Sequence, residues 1–133
     1  MNNKSNKIQS EISVGELLDK ISILEIKLTL IKDKEKLREI NKDYVNLKQS
    51  QNLSIKLTDK IKDLFNQLKE TNLNLWNIED KIRICEKNKD FGNNFIELAR
   101  GVYFTNDKRA RIKSEINKIS GSSIKEVKQY VDY

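Results

Sequence analysis

Apolar residues recur along most of this chain at alternating steps of three and four, the spacing that gathers them on one face of an α-helix. The first such run is Val14, Leu17, Ile21, Leu24, Leu28 and Ile31. Its start is marked by Ser13 and Glu16, which have the Ser-x-x-Glu spacing of a capping box, with Ile12 and Leu17 at the positions of a hydrophobic staple. A second stripe, Ile23, Ile26, Leu30, Leu37, Ile40, Tyr44 and Leu47, overlaps the first, so the stretch 21–31 is apolar on more than one face. The charged run from Lys32 to Lys36 is then either a bend, with Asp33 capping a second helix, or a phase shift within one long helix. Ser50-Gln51-Asn52 reads as a turn.

The most regular seam follows: Leu57, Ile61, Leu64, Leu68, Thr71, Leu75, Ile78, Ile82 and Cys85. It predicts a helix of nearly 30 residues, about 45 Å long at 1.5 Å per residue. Lys89-Asp90-Phe91-Gly92 ends it, and Asn93 or Asn94 can cap the next. That helix runs from Phe95 through Leu98, Val102, Ile112 and Ile116 to Ile119, with Gly101 as a candidate bend, and stops at Ser120-Gly121. Ser123 and Glu126 repeat the capping-box spacing and predict a short last helix to about Tyr130. Before the first helix, Ile8, Ser10, Ile12 and Val14 alternate as a short strand would, and residues 1–7 have nothing to bury. The expected fold is all-α: a long antiparallel, coiled-coil-like hairpin, a further helix, a short C-terminal helix and an optional N-terminal strand. Residues 8–133 form one helical domain behind a disordered tail at 1–7.

Such seams pack at shallow angles, and each buried Leu or Ile contributes roughly 1.5–3 kcal/mol. Ile23, Ile26, Phe65 and Trp76 lie off the seams and need a further partner. That requirement favours a homodimer over a monomeric bundle.

Composition removes whole classes of chemistry. The chain has 133 residues with no His, no Pro and one Cys. Imidazole bases, His-containing metal sites, Cys clusters and intrachain disulfides are therefore excluded, and any catalysis must run on carboxylates, Lys, Arg, Tyr or Ser/Thr. The net charge of +6 invites a nucleic-acid reading, but it is spread thinly: ten basic against eight acidic residues over 1–52, eight against seven over 53–90, and eight against five over 91–133. The local basic run Lys108, Arg109, Arg111 and Lys113 splits between two sides of a helix and reads as a solvated face, so nucleic acid is not the expected partner. Without an apolar leader or membrane-length span, the expected address is the cytoplasm.

Two polar stripes remain as candidate chemistry. Asn72, Trp76, Glu79, Arg83 and Glu86 line up beside the long seam, and Arg100, Tyr103 and Asp107 line up on the next helix, flanked by Asn106 and Arg109. An aromatic floor with Arg, Asn and carboxylates suits a small anion or nucleotide, so Asn72, Trp76, Glu79, Arg83, Arg100, Tyr103, Asn106, Asp107 and Arg109 are the candidate ligand-binding residues. The competing reading is an ordinary ion-pair network, with Glu79–Arg83 an i, i+4 pair. Glu16-Leu-Leu-Asp19 matches one half of the Glu-x-x-Asp and Glu-x-x-Glu carboxylate sets that hold Mg²⁺ in small all-helical pyrophosphatases; the companion motif is missing, and Glu16 already serves the capping box. No catalytic residue, metal site or cofactor is assigned.

Three stretches carry a resemblance: 14–27 (Val-Gly-Glu-Leu-Leu-Asp-Lys-Ile-Ser-Ile-Leu-Glu-Ile-Lys), 75–86 (Leu-Trp-Asn-Ile-Glu-Asp-Lys-Ile-Arg-Ile-Cys-Glu) with Asp90-Phe-Gly92, and Leu98-Ala-Arg100 with Val102-Tyr103 and 106–110 (Asn-Asp-Lys-Arg-Ala). As a set they resemble a family of small all-helical bacterial proteins known only as a domain of unknown function. The resemblance implies a helical, soluble, bacterial or phage-borne protein and brings no activity with it. That family has Asp-Pro where this chain has Asp33-Lys34, so a break after Ile31 must rest on Asp33. The leading expectation is a non-enzymatic homodimeric interaction module with an unknown protein partner. Its rival is a small-ligand binding protein or a carboxylate- and Arg-based enzyme, the latter with Mg²⁺.

Overall fold

A computed structural model describes residues 6–133 as four helices: α1 (Val14–Leu30), α2 (Lys34–Ser54), α3 (Asp59–Lys87) and α4 (Asn93–Ser120). Three of the four starts have a side-chain cap. Ser13 Oγ accepts from the Glu16 N–H at 3.1 Å, Asp33 Oδ1 from Glu35 at 3.3 Å, and Thr58 Oγ1 from Ile61 at 3.2 Å. Asp33 thus settles the choice left open around 32–36: two helices form. Gly121 ends α4 in the left-handed region (φ 67°), as a C-terminal glycine does.

Several local expectations fail. The turn at Ser50-Gln51-Asn52 is helix, because Gln51 is buried and α2 runs on to Ser54. Gly92, not an Asn, occupies the N-cap of α4, and Asn94 instead donates to Cys85 Sγ at 3.7 Å. The helix continues through Gly101, whose missing side chain lets Ile78 pack against the backbone. No strand forms among the described residues: Ile8 and Ile12 are exposed and have no edge to pair with. The short last helix is also absent. Glu126 gives its carboxylate to Lys113 and Lys128 rather than to a cap, and residues 122–133 run back along α4 as an irregular strap. Most of the expected tail, residues 1–5, lies outside the described residues.

The helices form two antiparallel hairpins, α1–α2 and α3–α4, and α1 lies between α2 and the α3–α4 pair. It touches all three other helices, whereas α2 packs closely on α1 alone. Leu17, Leu18 and Ile21 of α1 meet Ile61, Leu64 and Leu68 of α3 and Ile112 and Ile116 of α4 in one core. Close approach at the end of α1 depends on Gly15: a Cβ there would stand 2.6 Å from the Lys113 carbonyl oxygen.

The core occupies only one end of the long hairpin. At 29 residues α3 is about 43 Å long, against about 25 Å for the 17-residue α1. Beyond Asn72 the sole buried residue of α3 is Cys85, and α4 has none before Thr105. The far half of the hairpin is therefore an arm of two helices, flanked by a third only at its base, where Ile23 and Ile26 of α1 share a groove with Leu75 and Trp76.

Candidate functional site

Where α1, α3 and α4 meet, the core turns polar. Asp19, 1% exposed, receives Arg109 through both oxygens, from Nε at 2.9 Å and Nη2 at 2.5 Å. Asn72 Nδ2 donates to Asp19 Oδ1 and to Ser22 Oγ, each at 2.8 Å, while Ser22 Oγ donates to the Asp19 carbonyl at 2.7 Å. One turn along α4, Lys113 Nζ reaches Glu16 at 2.8 Å, Glu126 at 3.2 Å and Asp19 at 3.9 Å. Asn117 Oδ1 accepts from the Gly15 N–H at 2.6 Å. The acids come from α1 and the strap, the bases from α4, and Asn72 from α3. Sinking such charges is tolerable only because each meets an opposite charge and a hydrogen bond.

The titration behaviour follows. Hydrogen bonding to Asp19 raises the Arg109 pKa against the opposing effect of burial. Burial lowers Lys113, but its bond to Glu16 and the charges of Asp19 and Glu16 outweigh that and leave it raised. Burial raises Glu126, and the bonds from Lys113 and Lys128 outweigh it, so this carboxyl sits below its ordinary value.

Beside this junction lies a groove of about 490 Å³ between α1 and α3, floored by Ile23, Ile26, Leu75 and Trp76. Of the nine candidate residues it collects five: Asn72, Trp76, Glu79, Arg83 and Arg109, with Asp80 joining them. Glu79 Oε2 accepts from Arg83 Nη1 at 2.8 Å on an exposed surface. The other four lie elsewhere on α4. Tyr103, Asn106 and Asp107 line a second cavity of about 420 Å³ beneath the strap, with Val102, Lys128, Tyr130 and Tyr133. Tyr133 donates to Asp107 there, and its ring lies 5.3 Å from Tyr103 and 5.2 Å from Phe104. Arg100 pairs with Glu97 at 3.0 Å and sits 5.7 Å above the Phe104 ring. The two sequence stripes therefore meet only through Asn72 and Arg109, with Asn106 Oδ1 accepting weakly from Arg109 Nη1 at 3.4 Å.

The stretches that bear this geometry also carry the likeness to other proteins. The chain belongs to DUF6165, a family of unknown function. That family's model matches residues 8–132. No curated protein and no solved structure matches the chain. Within this DUF6165 chain, the described residues include no group of three acidic, His or Cys side chains placed to hold a metal ion, and no helix long and apolar enough to cross a membrane. The half-motif Glu16/Asp19 is neutralised by Lys113 and Arg109.

Asp19, Ser22, Lys113 and Glu126 are central to the junction and escape the sequence reading. Lys113 and Arg109 in particular looked like parts of a solvated basic face, yet Lys113 is only 8% exposed. A usable signal existed: Asp19 and Ser22 are polar residues inside the densest apolar stretch of the chain. Polar residues in such a stretch are tolerated in a core only when partnered.

Proposed function

We propose that this chain is a non-enzymatic helical interaction module that pairs with a second copy of itself through the arm of α3 and α4. The observation that carries the reading is the bare arm. Leu73, Ile84, Phe91, Ile96 and Phe104 are each 40% or more exposed and have no third helix beside them. Charge supports self-association as well. Residues 75–104 hold five acids (Glu79, Asp80, Glu86, Asp90, Glu97) and five bases (Lys81, Arg83, Lys87, Lys89, Arg100), so two arms do not repel although the chain as a whole is +6. The buried charges at the other end are paired inward, as in a brace that holds the arm's base rigid.

The arm is about 20 Å long and two helices wide, so it offers roughly 400 Å² per copy, about half of a standard interface. That size suits a transient dimer, which for a dissociation constant of about 10 µM would need about 7 kcal/mol from the contact. Light scattering across a concentration series tests it. The mass should rise from 15.6 kDa toward twice that value, and Ile84→Glu or Phe104→Glu should hold the chain at the lower mass without changing its helix content. A single 15.6 kDa species at every concentration up to about 500 µM, some fiftyfold above that constant, refutes the reading.

A further inference from the structure

The groove between α1 and α3 contains a polar atom that the fold leaves unspent. Ser22 Oγ gives its only hydrogen to the Asp19 carbonyl, so toward Asn72 it can only accept. Asp19 Oδ1, a carboxylate oxygen already serving Arg109, likewise accepts. The NH₂ group of Asn72 must therefore face both, and its orientation is decided by the network rather than by choice. Its Oδ1 is turned the other way. Asn72 is 5% exposed and lines the groove, yet this oxygen accepts from no group among the described residues, and it is not sealed from solvent.

The same groove carries a donor. Arg109 spends Nε and one Nη2 hydrogen on Asp19, which immobilises the guanidinium, while its side chain stays 26% exposed at the groove. An immobilised amide acceptor and an immobilised guanidinium donor on one groove offer the two functions that the donor and acceptor atoms of a nucleobase edge require. Trp76 supplies the remaining element, a flat apolar face on the same groove, and stacking on such a face is how proteins hold an unpaired base. The volume of about 490 Å³ lies within the range of small-molecule sites. At the outer end Glu79 and Asp80 outnumber Arg83, which is itself tied to Glu79. Two carboxylates can accept from ribose hydroxyls but oppose a phosphate.

We propose that this groove binds a nucleoside, with the base stacked on Trp76 and its edge bonded to Asn72 Oδ1 and Arg109, and the ribose toward Glu79 and Asp80. The groove shares Leu75, Trp76, Glu79, Asp80 and Arg83 with the base of the arm, but it is read by nucleoside binding and the pairing by mass, so failure of one reading is distinguishable from failure of the other.

Trp76 is the only tryptophan of the chain, so its emission reports the site directly. Adenosine, guanosine, cytidine and uridine are titrated in turn, followed by their 5′-monophosphates, with thermal melting as a second readout. At least one nucleoside should quench the emission saturably and raise the melting temperature, and its 5′-monophosphate should bind more weakly. Trp76→Leu, read by melting, should weaken binding about 5- to 150-fold, the range expected for loss of one stacked base. Asn72 also holds Asp19 and Ser22, so its variants risk unfolding. Ile23→Trp tests the groove without touching the network: it fills the α1 wall and should abolish the melting shift in a protein of unchanged helix content. No saturable response to any nucleoside at about 10 mM overturns the proposal. So does tighter binding of the monophosphate than of its nucleoside, an affinity unchanged by Trp76→Leu, or a melting shift that survives Ile23→Trp.

Discussion

Asp19→Asn is the sharpest perturbation of the junction, because it keeps the side chain's volume and removes only its charge. Of the two charge-assisted bonds from Arg109, at 2.9 and 2.5 Å, one loses its acceptor and the other is left with a neutral one, and Lys113 loses a countercharge at 3.9 Å while keeping Glu16 and Glu126. Breaking a fully buried pair by removing one partner costs about 3–5 kcal/mol. Arg109 is a quarter exposed and can turn part of its guanidinium to water, and Asn retains one acceptor oxygen, so the cost falls below that range, at about 2–3 kcal/mol. For a chain of this length that corresponds to a melting temperature lower by roughly 10 °C. Urea unfolding followed by helical circular dichroism should show an earlier midpoint with an unchanged slope. Pairing the change with Arg109→Met closes the cycle. Once the orphaned cation is gone, the double variant should be more stable than the sum of the singles by at least about 1.5 kcal/mol. A loss under about 1 kcal/mol for Asp19→Asn, or strict additivity, refutes the claim that this pair braces the junction.

Other outcomes follow from the same geometry. Gly15→Ala places a methyl group 2.6 Å from the Lys113 carbonyl oxygen and 2.9 Å from Asn117 Oδ1, so it should cost about 1–3 kcal/mol through overpacking; a neutral effect in chemical denaturation contradicts the close approach of α1 to α4. Arg83→Ala breaks an exposed pair and should change stability by less than about 0.5 kcal/mol in the same assay. The Glu126 carboxyl is depressed in the folded chain, so its contribution is present above its unfolded pKa and is lost as pH falls through the folded value. The melting temperature should accordingly fall more on acidification past the ordinary Glu value of about 4.3 in the parent chain than in Glu126→Gln, which has no carboxylate there to protonate. Lys113 is raised instead, so its contribution is complete below its unfolded pKa and disappears only as pH climbs through its higher folded one; melting should show no loss from this group between pH 6 and about 10.

Secondary structure was the legible part of this sequence. Steps of three and four, unbroken by any Pro, dictate long helices, and Ser13, Asp33 and Gly121 carry their start and stop signals in their own side chains or lack of one. Where a local signal competed with a distant partner, the distant partner won. Gln51 is helical because it is buried, and Glu126 leaves its capping box because Lys113 offers a stronger, charge-assisted bond. Periodicity places residues around a single helix axis but does not state which faces of different helices meet. That is why Asn72 and Arg109 come to one groove while Tyr103 and Asp107 go to another, and why Lys113, expected in water, is sunk among three carboxylates. The composition excluded histidine chemistry before any fold was known. Only the packing of α1 against the α3–α4 pair decided that the polar residues of its apolar stretch would hold a cation, fix Asn72 beside a groove and leave much of a long hairpin bare.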